Sequence, residues 1–352
     1  MRCGVGDYAA TLANALQELG NVTVGVLVGE SNVCKPVGVE IIQGPGWRLR
    51  YAFAVLRTII AWRPDVVHLQ FPTQGYGGRL LPLVLPLLLR AAGCRIVQTW
   101  HEFLPMGSHH SSFVLCAARG TVIVVRSNYI ASLSGWYRWL LRRSKIVFIP
   151  GASSVPQSQL SVEELAHLRE KLAAGQQRVI TYFGFANPNK GVEQLFQIAN
   201  PERDRIVMLC DLQPANPYQR KILDESKKSS WANKVTVTGF LPAQEAADIL
   251  AASDAVVLPF PGGGGNWNSS LAAIRAQGTL AITTSLSREG YDSQGNVYFC
   301  EPGDVEAMGS ALTAYLGRKI IPSHHPEQEW MRIAASHFDV YRDVLAQTRE
   351  AK

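Results

Sequence analysis

The sequence predicts an α/β protein built from two doubly wound parallel-sheet domains that face each other across a cleft. Three observations carry the prediction. Short Val/Ile-rich runs alternate with segments of helical period, the pattern of strands covered on both faces by crossover helices. The alternation lapses at residues 151–177, where the chain turns polar, and then resumes. With 352 residues, 47% of them apolar, the chain can fill about two cores.

The elements follow in order. DYAATLANALQELG (7–20) reads as an amphipathic helix ending on glycine. NVTVGVLVG is a strand, and IIAWRPDVVHLQF runs from a helix end into the next strand. LLPLVLPLLL (80–89) is an apolar helix, too short at ten residues for a bilayer span of about 20. CRIVQTW, GTVIVVRS and KIVFIP are strands, with SNYIASLSGWY a helix start between the last two. These elements form a first domain, 1–150. Residues 151–177 are a linker region containing one helix.

The second domain, 178–315, runs RVITYFG, helix KGVEQLFQIA, RIVMLCD, helix PYQRKILDESKKS, KVTVTGFL, helix AQEAADILAAS and DAVVLPF. It continues with helix SSLAAIRAQG, strands TLAITTS and NVYFCEPGD, and a helix from Val305. Residues 316–352 hold a final helix or bent helix pair, expected to pack back across the domain boundary. One element is anomalous. A doubly wound domain opens on a strand, whereas here a glycine loop, Gly4-Val5-Gly6, precedes the first helix with no strand before it. The first strand is expected to be missing from the sequence.

Composition excludes several classes. Lys plus Arg exceed Asp plus Glu by 34 to 28, a diffuse +6 without the basic tail or aromatic-basic repeat of a nucleic-acid binder. Six scattered cysteines form no CxxC and argue against a zinc finger or disulfide framework. His109-His110 have no neighbouring ligands at zinc spacing, so no metal site is expected. With no secretory leader in MRCGVGDYAA, the expected location is cytoplasmic. The Trp-, Leu- and cation-bearing YRWLLRRSK (137–145) suits either peripheral contact with an anionic membrane or an ordinary amphipathic helix.

Open α/β sheets bind ligands beyond the carboxyl ends of their strands. The segments there are Gly4–Gly6, Gln70–Gly78, His101-Glu102, Arg126–Asn128, Gly184–Lys190, and Pro259–Ser270, which contains PFPGGGGNWNSS. Asn268, Ser269 or Ser270 can cap the following helix, whose unpaired amides can hold a phosphate. A mobile loop with an ordinary cap accounts for the same residues. His101 can bond a sugar hydroxyl or a carbonyl, or titrate near neutral pH. Lys190 can pair with a diphosphate or lie solvated. Asp211, in CDLQP, can meet a ligand or cap a turn.

Taken together, GVGDY, DVVHLQ, QTWHEF, YFGFANPNKGVEQL, VTVTGFLPAQEAADILAASDAVVLPF, AAIRAQGTLAITT and EPGD resemble the retaining nucleotide-sugar glycosyltransferases of family 4. That family has the GT-B architecture of two Rossmann-like domains. The resemblance implies an acceptor-side first domain and a second domain that binds a UDP-sugar or GDP-sugar. It implies no cofactor, a hydroxyl acceptor such as a lipid-linked glycan, and a role in polysaccharide biosynthesis. Gly4 and Gly6 would lie against the donor diphosphate or sugar, and His101 would hydrogen-bond the donor sugar. Lys190, in the loop opened by Gly184, would neutralise the leaving diphosphate. Phe240 and Leu241 would border the base, and the amides of Ser269 and Ser270 would hold phosphate.

The chain departs from the family pattern at two places. Gly184-Phe185 stand where many members place an arginine, and Gly265 and Ala273 where many place two glutamates. Gly265, Asn266 and Asn268 then remain to meet donor hydroxyls. A non-catalytic sugar-nucleotide or glycan-binding protein, and a sugar-nucleotide epimerase, are the competing readings.

Overall fold

The computed structural model describes residues 4–29, 39–71, 76–101, 117–265, 267–322 and 325–350. The chain divides into two compact units, Met1–Gly151 with Gln328–Lys352, and Ala152–Glu327.

The first unit opens with the helix Gly4–Glu18. Strands β1 (Gly25–Val28) and β2 (Glu40–Gln43) form a two-stranded parallel sheet. Strands β3 (Val67–Phe71), β4 (Ile96–Trp100), β5 (Thr121–Val124) and β6 (Lys145–Phe148) form a four-stranded parallel sheet in chain order. The apolar segment predicted at 80–89 is the helix Leu81–Ala91. Leu81, Leu85 and Leu89 recur along one face and pack with Val55, Ile59 and Leu69, so it is a core helix. The last helix, Pro326–Glu350, is continuous and buries Trp330, Ile333, Ala334, His337, Val340 and Val344, a three-to-four-residue stripe. From Gln328 onward it belongs to the first unit, where Trp330 meets Tyr8 edge-on at 5.0 Å and Asp343 accepts from Lys145 at 2.6 Å.

The second unit holds one seven-stranded sheet, ordered β12-β13-β11-β10-β7-β8-β9. Its strands are β7 (Arg178–Phe183), β8 (Asp204–Leu209), β9 (Val235–Val237), β10 (Ala255–Leu258), β11 (Ala281–Thr284), β12 (Gly290–Asp292) and β13 (Val297–Cys300). All pair in parallel except β12, which is antiparallel to β13. The central strands are buried on both faces, as their unbroken apolar runs require. In front of this sheet the helix Val162–Ala173 begins with a capping box: Ser161 accepts from the Glu164 amide and Glu164 accepts from the Ser161 amide.

Four local expectations are corrected. Gly4–Gly6 are not a loop but the first turn of the opening helix. SNYIASLSGWY does not start a helix at Ser127. Its residues make consecutive turns, Tyr129 to Arg126, Ser132 to Asn128 and Leu133 to Ile130, and the helix spans only Gly135–Leu141. KGVEQLFQIA is broken at Gly191, whose left-handed backbone separates two 3₁₀ turns, leaving α-helix only at Leu195–Ile198. Strands β2 and β12 were not anticipated.

Candidate active site

In the seven-stranded sheet the chain moves outward from β7 to β8 and β9 on one side, and from β10 to β11 and β13 on the other. The order therefore reverses between β7 and β10, and the crevice beyond the carboxyl ends of these two strands is where such sheets bind ligands. The two motif-bearing loops meet there. A Cβ on Gly191 would overlap the Pro259 carbonyl oxygen, so only glycine permits this approach. A Cβ on Gly184 would lie 3.1 Å from Ser270 Oγ. Lys190 Nζ stands 4.8 Å above the Phe260 ring. Gly184 and Lys190 are thus brought together with Ser270.

The loop after β7 is braced from behind. Tyr182 Oη donates to the Phe185 carbonyl at 2.8 Å, and Gln219 Nε2 to the Ala186 carbonyl at 2.9 Å. Tyr218 Oη accepts from the Val192 amide at 3.0 Å and donates to the Glu193 carboxylate. Burial, with the Glu193 hydrogen bond, raises the Tyr218 pKa, so it stays a neutral donor. Phe240 is half exposed just after β9 and touches Phe185 edge-on at 5.8 Å, making an aromatic edge at the same end of the sheet. Leu241 is half-buried beside it. Asp211 accepts from Gln213 Nε2 at 2.5 Å, a local turn contact.

The glycine-rich stretch is answered largely by its own chain. A Cβ on Gly265 would overlap the Trp267 ring, so the ring would have to shift. Asn268 caps the helix Ser269–Ala276, its Oδ1 accepting from the Ser270 amide at 2.9 Å and the Leu271 amide at 3.2 Å. The Ser270 amide expected to hold phosphate is therefore already bonded, and Ser269 is the helix residue ahead of it. Ala273 is fully buried on this helix. Asn266, Glu102, His109 and His110 lie outside the described residues.

The first unit places His101 directly after β4, where its amide bonds the Phe71 carbonyl at 2.9 Å. His101 Nε2 donates to Gln70 Oε1 at 2.7 Å, and Gln70 Nε2 lies 3.3 Å from His68 Nε2. Thr99 Oγ1 donates to the same His68 nitrogen at 2.7 Å, so His68 Nδ1–H donates to Tyr341 Oη at 2.7 Å. This chain of partners fixes both tautomers and leaves His101 Nδ1 as an acceptor. Tyr8, one turn beyond Gly4, contacts the His101 ring edge-on at 4.6 Å. Gly4, one turn before Tyr8, has open space beside it among the described residues.

Burial, reinforced by His337, pushes the His101 pKa down to about 3. Of the roles open to His101, titration near neutral pH does not fit this burial, which leaves the neutral imidazole as a hydrogen-bonding group. Sequence reasoning missed His68 and Tyr341. A signal existed in VHLQF, where two polar residues two apart mark one face of an otherwise apolar strand.

Comparison with known proteins shows the family and the fold. The family model described as "Glycosyl transferase 4-like domain" matches residues 3–180, and that described as "Glycosyl transferases group 1" matches 177–318. The chain belongs to the glycosyl transferase 4-like family. It is a glycosyltransferase of the GT-B fold. Its fold resembles sucrose-phosphate synthase from Thermosynechococcus elongatus, at 15% identity over 97% of this chain and 93% of that one, with a TM-score of 0.73. A glycosyltransferase from Rickettsia africae gives 16% identity over 97% and 95%, with a TM-score of 0.69. Anabaena HepE, solved with UDP-glucose, gives 15% over 100% and 97%, with a TM-score of 0.68. No curated protein matches by sequence. Among the described residues, this family member has no helix long and apolar enough to cross a membrane.

Proposed function

We propose that this glycosyltransferase moves a sugar from a nucleoside-diphosphate sugar to a hydroxyl acceptor with retention, in cytoplasmic glycan or polysaccharide synthesis. The observation that supports this most is the meeting of the Gly184–Lys190 and Pro259–Ser270 loops at the order reversal between β7 and β10. Phe185 and Phe240 offer an aromatic edge to a base, and Lys190 offers its ammonium to the diphosphate. UDP is the favoured donor nucleotide, since HepE was solved with UDP-glucose, with GDP the other candidate.

In the proposed step the bond from the anomeric carbon to the β-phosphate oxygen breaks as the acceptor oxygen bonds that carbon on the same face. The acceptor proton passes to the leaving phosphate. Lys190 and the start of the helix Ser269–Ala276 stabilise the charge that develops there, without requiring a metal. His101 Nδ1 accepts from a donor-sugar hydroxyl, while Gly4 and Gly6 permit close approach at the opening helix.

The acceptor is proposed to be a lipid-linked glycan. Stacked Trp136 and Trp139, with ring centroids 5.0 Å apart, are exposed on the short helix before β6, and Arg142 lies 4.5 Å from the Trp139 ring. Such an aromatic-cationic surface suits peripheral contact with an anionic bilayer.

Incubation with UDP-, GDP- and ADP-sugars and a hydroxyl acceptor tests the reading, with products followed by NMR. One sugar should be transferred with its anomeric configuration kept, in chelator as well as buffer. Inversion would overturn the mechanism, and strict divalent dependence the metal-free step. Nucleotide binding without transfer would favour the non-catalytic reading, which Gly265 and buried Ala273 encourage by replacing carboxylates.

A further inference from the structure

A second cavity lies wholly within the first unit. Its volume is about 360 Å³, and it opens where three strands end: Gly29 follows β1, Trp47 and Arg48 follow β2, and Tyr76 and Arg79 lie beyond β3. Arg48, Arg50 and Arg79 line it, and no Asp or Glu does among the described residues. None of the three guanidiniums takes part in an ion pair among the described residues. Arg50 is held in place, with Nη2 donating to Tyr51 Oη at 2.7 Å.

The opposite character comes from aromatic rings. Trp47 and Tyr76 meet edge-to-face with centroids 5.0 Å apart, presenting an apolar surface beside the cations. Gly29 lets the indole lie there, because a Cβ would overlap Trp47 Nε1. The rings are half-buried while the three arginines are exposed at the rim.

We infer that this cavity binds the phosphate-bearing sugar of the acceptor, its ring against Trp47 and Tyr76 and its phosphate in the fork of Arg48, Arg50 and Arg79. Guanidinium is the side chain whose planar donors match a phosphate two at a time. The volume is at the small end of ligand pockets, about 300–1,000 Å³, which suits one sugar phosphate and not an oligosaccharide. The site stands at the carboxyl ends of the strands, as His101 does after β4. Its assignment to the acceptor rests on the proposed transfer reaction, whereas its binding of a sugar phosphate does not.

The test is titration of the full chain, followed by Trp fluorescence and calorimetry. The probes are glucose, inorganic phosphate, glucose 6-phosphate, and phosphatidylcholine vesicles with and without polyprenyl diphosphate-glucose. Glucose 6-phosphate or the doped vesicles should bind at least tenfold more tightly than glucose or plain vesicles. Response to the doped vesicles alone assigns the phosphate to a lipid carrier, and response to glucose 6-phosphate alone to a soluble acceptor. Arg48→Ala and Arg79→Ala should each weaken binding about tenfold or more, with unchanged Tm and unchanged affinity for UDP. No preference for glucose 6-phosphate over glucose together with no preference for doped over plain vesicles, or indifference to both substitutions, would overturn the inference. Loss of UDP binding in Lys190→Ala, with sugar-phosphate binding kept, separates this site from the donor site. Absence of UDP binding altogether would count against the donor reading alone.

Discussion

Half-buried His68 and His101 and buried His337 share one neighbourhood, and burial lowers the pKa of each: His101 to about 3, His337 to about 4, and His68 well below its ordinary value. In the unfolded chain each titrates near 6.5. Between that value and the folded one the unfolded state binds more protons, so stability falls as pH falls through this window. Each fully perturbed histidine then costs up to about 1.4 kcal/mol per pH unit. A Tm series from pH 7.5 to 4.5 should decline steeply below about pH 6.5, and His337→Phe should flatten it. A level Tm would contradict the buried neutral network. His101 was legible in the sequence because it ends a strand; its tautomer was not. That depends on Gln70, His68 and Tyr341, the last 240 residues further along the chain than His101.

The helix Ser269–Ala276 shows how an element can carry both a motif and a departure from it. Asn268 is its cap, and Asn268→Ala should cost about 1 kcal/mol by leaving the Ser270 and Leu271 amides without that acceptor. Ala273, at a position where the sequence resemblance implied a carboxylate, is fully buried. Ala273→Glu should therefore destabilise by about 3 kcal/mol or more instead of restoring a donor contact. Denaturant unfolding distinguishes the two substitutions, and an Ala273→Glu protein as stable as the parent would show that the helix exposes this position.

Unbroken apolar strands such as β7 and β10, and the helix Ala243–Ala252, were readable because composition and period agree, whereas β2 (EIIQ) and β12 (GYD) carry polar residues in short runs. Gly191 decided the fate of KGVEQLFQIA through a contact with Pro259 that local sequence does not encode.

At the scale of the molecule, alternation of strands and helices specified the class, and the second unit begins at Ala152. The last helix was expected at the boundary; its buried stripe against Tyr8 and His68 is a long-range match that its amphipathicity alone could not assign to a partner. The two glycine-bearing loops were readable as motifs, but their meeting at the β7–β10 reversal required the strand order. The account stands or falls on a diphosphate binding there. Calorimetric titration with UDP, GDP, ADP and TDP is the most direct measurement, made on the parent chain and on Lys190→Ala. One diphosphate should bind selectively, and the substitution should weaken it about tenfold or more. A folded parent chain that binds none of the four, or a Lys190→Ala protein that binds as well as the parent, would contradict it.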